Sequence, residues 1–211
     1  RRDSARQRAQ AVALNLDYPD GVTPLSAEEL EGLIPAHITT RGELNAWEAR
    51  NVLKAGQWLR ARRSGDILTP AFVRRLHQRM FDETCRWAGA FPKTEKNIGI
   101  DPAHIAPRIL DLCEDVKAQL AQKSLLLDEI AARFHHRLVS IHSFANGNGR
   151  HARLMTDLLL TENGAARFIW GEDALVAEGE VRARYIAALR AADARDYAPL
   201  LAFVRSGNAG V

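Results

Sequence analysis

Cysteine is nearly missing from this chain: its 211 residues hold two, Cys85 and Cys113, and neither has a second cysteine or a histidine at metal-ligand spacing beside it. That excludes a disulfide framework and a zinc site of the common spacings, and it predicts two inert, reduced, buried thiols in a cytoplasmic protein. Long apolar runs are missing too. Leu125-Leu126-Leu127 and Leu158-Leu159-Leu160 are cut short by acids, far from the roughly 18 residues that a membrane span needs. Four arginines in the first eight residues resemble the start of a signal peptide, but the apolar segment after them, Ala11 to Leu14, is too short for one. There is no internal repeat and no low-complexity tract. A strong charge of one sign is also absent: Lys+Arg exceeds Asp+Glu by 29 to 26, a net +3, although 24 of the 29 cations are arginine. So small an excess, made of arginine, hints at phosphate chemistry without separating nucleotide from nucleic acid or solvated surface. What is present, 46% hydrophobic and 26% charged residues, is the profile of one globular domain able to bury about 70% of its unfolded surface.

Residues 1–21 are polar and basic and end in Tyr18-Pro19-Asp20-Gly21, a turn-forming string that reads as the end of a flexible arm. From residue 22 the pattern is almost all helical. Residues 22–62 hold N-terminal helices: Ser26 can cap a short one, and Thr40-Arg41-Gly42-Glu43 has the form of a capping box opening a longer one through Trp47, Val52 and Trp58. Residues 63–206 form the core. Thr69-Pro70 starts a helix with Phe72, Leu76 and Met80 on one face, and two more follow at about 103–122 and 128–141. A further helix holds Leu154, Met155, Leu158 and Leu159 and ends at Asn163-Gly164, and the stretch from Glu180 to Val204 reads as one or two helices broken near Pro199. One segment does not fit. Residues 87–100, with glycines, a proline and no helical period, read as a loop or irregular hairpin, and loops of that length usually carry function.

The chemistry concentrates at His142-Ser143-Phe144-Ala145-Asn146-Gly147-Asn148-Gly149-Arg150-His151-Ala152-Arg153, between two helical stretches. Gly147 and Gly149 let the backbone take positive φ, so that successive N–H groups can line one concavity at a helix N-terminus, where the macrodipole favours an anion. Arg150 and Arg153 fall three apart in the first turn, and no acid accompanies them there. Cations at that end oppose the dipole, so an external anion is expected, and a polyphosphate fits best. His142 precedes the loop, and an imidazole beside a phosphate nest is a general base. Phe144 reads as an apolar anchor.

The string His142-x-Phe144-x-x-Gly147-Asn148-Gly149-Arg150-x-x-Arg153 resembles the signature of the Fic family. The likeness extends over roughly residues 38–205, and with Thr-x-x-Gly-Glu-Leu-Asn and Trp-Ala-Gly upstream it is similar to a subgroup found on bacterial mobile elements. The resemblance implies an all-α fold, a helical bundle around the loop with a short β-hairpin flap. It implies a protein adenylyltransferase that moves AMP from ATP, with Mg²⁺, to a tyrosine, serine or threonine hydroxyl of a target protein. By the same resemblance His142 would deprotonate the hydroxyl, the Gly147–Gly149 amides and Asn148 would hold the α- and β-phosphates, and Arg150 and Arg153 would grip the triphosphate tail. Residues 87–100 look like the family's flap, in which Lys93, Thr94, Glu95, Lys96, Asn97 and Ile98 would dock the target by strand addition. Glycine rather than lysine before Arg150 favours nucleotidyl transfer over the phosphate transfer of Doc-like members. No membrane partner is expected, and a homo-oligomer is compatible with the sequence.

Three features depart from or qualify this pattern. Ser143 stands where the family usually has proline, which frees the loop backbone. Asn146 stands where the family has the Asp or Glu that binds Mg²⁺; its amide oxygen is a weaker ligand, leaving the metal to be held through ATP phosphates. Thr39 to Glu43 resembles the family's inhibitory segment, placed here at 39–45, in which Glu43 would pair with Arg153 and brake the enzyme. Thr40 and Glu43 would equally make a capping box with no regulatory role. Two other classes stay open: a catalytically weak Fic-fold binding protein, suggested by Ser143 and Asn146, and a nucleic-acid-binding module using Arg60, Arg62, Arg63, Arg74, Arg75 and Arg79. The commoner reading of those arginines is solvated helix faces. His135, His136 and His151 invite a metal reading, against which stands the absence of His-Glu-x-x-His, and Trp58, Trp87 and Trp170 read as core aromatics.

Overall fold

The computed structural model describes residues 25–35, 37, 38, 40–62, 65–171 and 178–206. The basic arm expected over 1–21, Thr39 of the inhibitory segment and Arg63 of the basic face lie outside the described residues.

Among the described residues the fold is eight helices: α1 (Ala27–Glu31), α2 (Arg41–Ala61), α3 (Pro70–Phe81), α4 (Pro102–Gln122), α5 (Leu127–Ile141), α6 (Asn148–Glu162), α7 (Glu178–Asp193) and α8 (Ala198–Arg205). Several starts follow from side chains that satisfy backbone donors left without intrahelical partners. Ser26 and Glu29 form a reciprocal capping box on α1, Thr40 and Glu43 do so on α2, and Thr69 caps α3 with Pro70 in its first turn. Helices α3 to α6 bury one continuous core through Leu76, Met80, Ile109, Leu112, Phe134, Met155 and Leu159. Helix α5 lies against both α4 and α6, α2 lies on α3, and α7 packs with α8. Cys85 and Cys113 are free and buried, as expected, and burial pushes both thiols up, Cys113 to about 11, so neither ionises near neutral pH.

One local expectation is corrected and one is sharpened. The β-hairpin flap is not a hairpin: no ladder forms over 87–100, and among the described residues the one β-type pairing is an isolated bridge between Leu33 and Cys85. Instead the segment is fastened at its two ends. Ala90 N–H bonds the Trp87 carbonyl, Ile100 N–H reaches the Ile141 carbonyl, and positive φ at Gly89 and Gly99 bends the chain between them. The break between the last helices, expected near Pro199, falls at 194–197. Arg195 takes a left-handed φ of 67°, and Pro199 sits in the first turn of α8, where a missing N–H costs nothing.

Candidate active site

The loop 142–147 joins α5 to α6, and its shape is fixed from below. Phe144 is fully buried, stacked on the His77 ring with centroids 3.7 Å apart and edge-on to His151 at 5.1 Å. Asn148 turns inward: its Oδ1 accepts from Phe144 N–H at 3.0 Å and its Nδ2 donates to the Phe144 carbonyl at 2.6 Å. Both polar atoms of the Asn148 side chain are thus committed to closing the loop, so the contact with phosphate that the resemblance implies would fall to its backbone amide. Sequence reasoning passed over His77. Gly89 N–H donates to its Nδ1 at 2.9 Å, so Nε2 carries the proton and donates to the Asn146 carbonyl at 3.0 Å. Burial, together with the His151 charge, holds His77 well below the usual imidazole range, so this neutral ring ties the root of segment 87–100 to the loop.

Gly147 is the N-cap of α6 at φ 78°, and a Cβ there would meet the Phe81 ring at 2.4 Å. Only glycine accommodates both conditions. Its N–H is taken by Asn146 Oδ1 at 2.7 Å, so Gly147 does not contribute to an anion nest as expected. The first intrahelical bond is His151 N–H to the Gly147 carbonyl. The α6 N-terminus has no side-chain cap and no acid in its first turn, which leaves the amides of Asn148, Gly149 and Arg150 for an anion.

His142 ends α5 in a left-handed conformation, φ 55° and ψ 55°, a strained state for a non-glycine residue that turns the side chain out of the helix. Burial lowers its pKa to about 4; the Lys96 ammonium pushes the same way and a hydrogen bond with the Val139 backbone opposes both. The imidazole is therefore neutral at physiological pH, in the form that can accept a proton. Gly99 presses directly on it, since a Cβ there would fall 2.5 Å from His142 Cβ. Within the flap, Lys93, Thr94, Glu95, Asn97 and Ile98 are exposed, whereas Lys96 points inward to an ion pair with Glu29 of α1, both side chains nearly buried. Burial pushes the Glu29 carboxyl up, but hydrogen bonds from Lys96 and from Ser26 N–H outweigh it and the net shift is downward.

The two arginines have different surroundings. Arg150 lies over the Phe81 ring and its Nη2 is 2.8 Å from Oε2 of Glu48 on α2, a carboxylate only 3% exposed. Glu48 Oε1 also accepts from Asn146 Nδ2 at 3.3 Å. The absence of an acid in the first turn of α6 thus did not mean the absence of an internal anion. Glu48 comes from a distant helix, and no local spacing announces it. Arg153 instead sits over the Trp170 and Tyr185 rings. The Glu43 carboxylate accepts from Thr40 N–H at 3.0 Å, in the capping box.

Among the described residues no three or more His, Cys, Asp or Glu side chains are grouped to hold a metal. Asn146 Oδ1, the expected weak ligand, is spent on Gly147, and Glu48 on Arg150 and Asn146, so these residues do not by themselves make a Mg²⁺ site. His135 hydrogen-bonds the Tyr185 hydroxyl at 2.8 Å, His136 bonds Asp193 at 2.8 Å, and His151 donates to the Val73 carbonyl at 2.9 Å. Arg75 and Arg79 both lie over Trp58 and Arg74 over Phe91. No helix among the described residues is long and apolar enough to cross a membrane.

The family model of the Fic/DOC family matches residues 67–160. Protein adenylyltransferase fic-1 of Caenorhabditis elegans is 28% identical over 123 residues, 56% of this chain and 22% of the relative, and its Caenorhabditis briggsae counterpart matches to the same extent. The chain thus spans about a fifth of the length of these curated relatives. Among solved structures, the N-terminal Fic domain of Bep8 from Bartonella sp. 1-1C superposes with a TM-score of 0.64 at 16% identity, covering 81% of this chain and 87% of that one. BepC of Bartonella tribocorum, solved with bound AMPPNP, gives 0.64 at 18% identity over 81% and 88%. Fic-1 of C. elegans, residues 134–508, gives 0.61 at 23% identity over 76% and 47%.

Proposed function

Because residues 67–160 form a domain of the Fic/DOC family, we propose that the chain is a protein adenylyltransferase that transfers AMP from ATP to a tyrosine, serine or threonine hydroxyl of a target protein. The observation that carries this reading is a neutral His142 at the end of α5, one short loop from the uncapped N-terminus of α6. His142 takes the proton of the target hydroxyl as its oxygen attacks the α-phosphorus; the bond from that phosphorus to the bridging oxygen breaks, and pyrophosphate leaves with the electron pair. The amides of Asn148, Gly149 and Arg150, with the α6 dipole, face the charge that develops on the phosphates. Arg153 offers its guanidinium to the tail. Mg²⁺ would enter with the nucleotide and neutralise phosphate charge, and this chain's own residues add no carboxylate to it.

Autoinhibition belongs to the same proposal, and Glu48 joins Glu43 as a candidate restraint. Glu48 reaches the loop and occupies Arg150, while Glu43 serves the helix start. A second reading, a catalytically weak Fic-fold binding protein, draws on Asn146 in the usual carboxylate position and on Arg150 already being paired. A nucleic-acid module gains no support from the arginine-rich face, since Arg74, Arg75 and Arg79 stack on the protein's own aromatics.

The test is incubation of the purified chain with α-labelled ATP and candidate lysate. Label should appear on protein, the chain itself included, and disappear in His142→Ala, because a general base contributes about 10²–10⁴ in rate. Binding of ATP without any label transfer supports the weak-binding reading instead.

A further inference from the structure

We propose that Trp170 and Tyr185 are positioning residues that hold the Arg153 guanidinium between their rings and present its N–H edge to the terminal phosphates of the nucleotide. The inference rests on the nucleotide-transfer reading above. Both residues lie beyond the segment that the family model matches.

Arg153 Cζ is 4.8 Å from the Tyr185 ring centroid and 5.5 Å from that of Trp170. Neither ring is free to turn. Trp170 is 4% exposed, donates from Nε1 to Asp157 Oδ1 at 3.0 Å and lies edge-on to Phe168 at 5.4 Å. Tyr185 is bonded through its hydroxyl to His135, and the His135 ring lies 4.5 Å from Trp170, so one buried imidazole fastens both walls. The backbone is spent on the same end: Trp170 takes a left-handed φ of 57° and Gly171 follows at 74°, a conformation unfavourable for a tryptophan that brings the indole under α6.

The Tyr185 hydroxyl also accepts a hydrogen bond from the guanidinium, so one donor is spent on the protein, the ring faces take the π surface, and the remaining N–H groups are left for phosphate. It is also held without neutralisation. Arg150 already has the Glu48 carboxylate, whereas none of the ion pairs among the described residues involves Arg153, and its Nε is buried without a hydrogen-bond partner. Of the two arginines at the α6 N-terminus, Arg153 therefore has the unmet charge. Fixing its side chain beforehand lowers the ordering cost when the anion arrives.

The experiment measures the affinity of the whole chain for AMPPNP and for AMP by calorimetry, in wild type, Arg153→Ala, Tyr185→Leu, Trp170→Leu, Tyr185→Phe and the double variant Arg153→Ala/Tyr185→Leu. Tyr185→Leu and Trp170→Leu should each weaken AMPPNP by about tenfold, the range of a partly desolvated cation–π contact, and leave AMP unchanged. Tyr185→Phe, which keeps the ring and loses only the hydroxyl that accepts from Arg153, should weaken AMPPNP less than Tyr185→Leu does. In the Arg153→Ala background Tyr185→Leu should add nothing. Equal weakening of AMPPNP and AMP, or the same loss in the Arg153→Ala background, would overturn the proposal by making the rings general supports of the fold. Should Tyr185→Leu fail to fold, Trp170→Leu reads the same coupling from another element. A wild type that binds neither nucleotide overturns the nucleotide reading and this inference together. Arg153→Ala binding AMPPNP as tightly as wild type overturns this inference alone.

Discussion

Glu48 and Arg150 meet at 2.8 Å beside the 142–147 loop, the carboxylate 3% exposed and the guanidinium 36%. Removing one partner of a buried pair strands the other, but Arg150 can reach water. Glu48→Gln should therefore cost only about 1–2 kcal/mol in a urea titration. It also releases Arg150 for phosphate, and the expected result is higher automodification with labelled ATP. A fall in labelling would make Glu48 part of the transfer machinery rather than a restraint. Glu43→Gly tests the cap separately: loss of half a capping box should cost about 1 kcal/mol in the same titration, and a rise in labelling with it would make Glu43 a second restraint.

Four histidines, His77, His135, His142 and His151, have their pKa values lowered by burial, His135 to about 3 and both His142 and His151 to about 4. In the unfolded chain each would protonate near its ordinary value of about 6.5, while the folded chain resists. The unfolded state then binds more protons, so stability is full above about pH 6.5 and falls as pH drops toward 4, by up to about 1.4 kcal/mol per pH unit for each histidine. Urea midpoints at pH 7.5 and 5.0 check the sign, and a midpoint that is higher at pH 5.0 refutes it.

Gly99 is the contact between the flap and the base. With φ at 110° and His142 Cβ 2.5 Å from where its own Cβ would stand, Gly99→Ala must displace either the flap or the imidazole. The expected outcome is a loss in kcat on the order of tenfold or more, with AMPPNP affinity unchanged because the α6 N-terminus is untouched. Single-turnover kinetics beside calorimetry separate the two.

The helices were legible because their signals are local. Thr69-Pro70, the Thr40 to Glu43 box and the four-and-three spacing of Ile130, Phe134, Leu138 and Ile141 each specify an element within a turn or two of chain. So was the loop, since its glycines and arginines are adjacent. What sequence did not disclose is long-range. Glu48 facing Arg150, His77 joining Gly89 to Asn146, and Trp170 with Tyr185 around Arg153 are pairings made by packing, and none leaves a spacing pattern. The hairpin form of the flap came from the family resemblance, whereas here its backbone groups are satisfied at the ends by Trp87 and Ile141 rather than by a ladder. The inward turn of the Asn148 side chain was hidden for a related reason: in a glycine-rich loop a polar side chain can as readily bind its own backbone as a ligand.

Glu29 holds the flap twice, through Lys96 and by accepting the Trp87 indole N–H on its carbonyl at 3.1 Å. Helix α1 is only five residues long, yet it sets the position of the flap, and a target docked there as proposed would be gauged against it. Excising the stretch that carries the signature, or grafting that stretch onto another scaffold, would transfer the reacting groups without their ruler. On the proposed function, substrate choice would then be distributed over parts that a motif search does not see, and changes in α1 could shift it while the loop itself stays untouched.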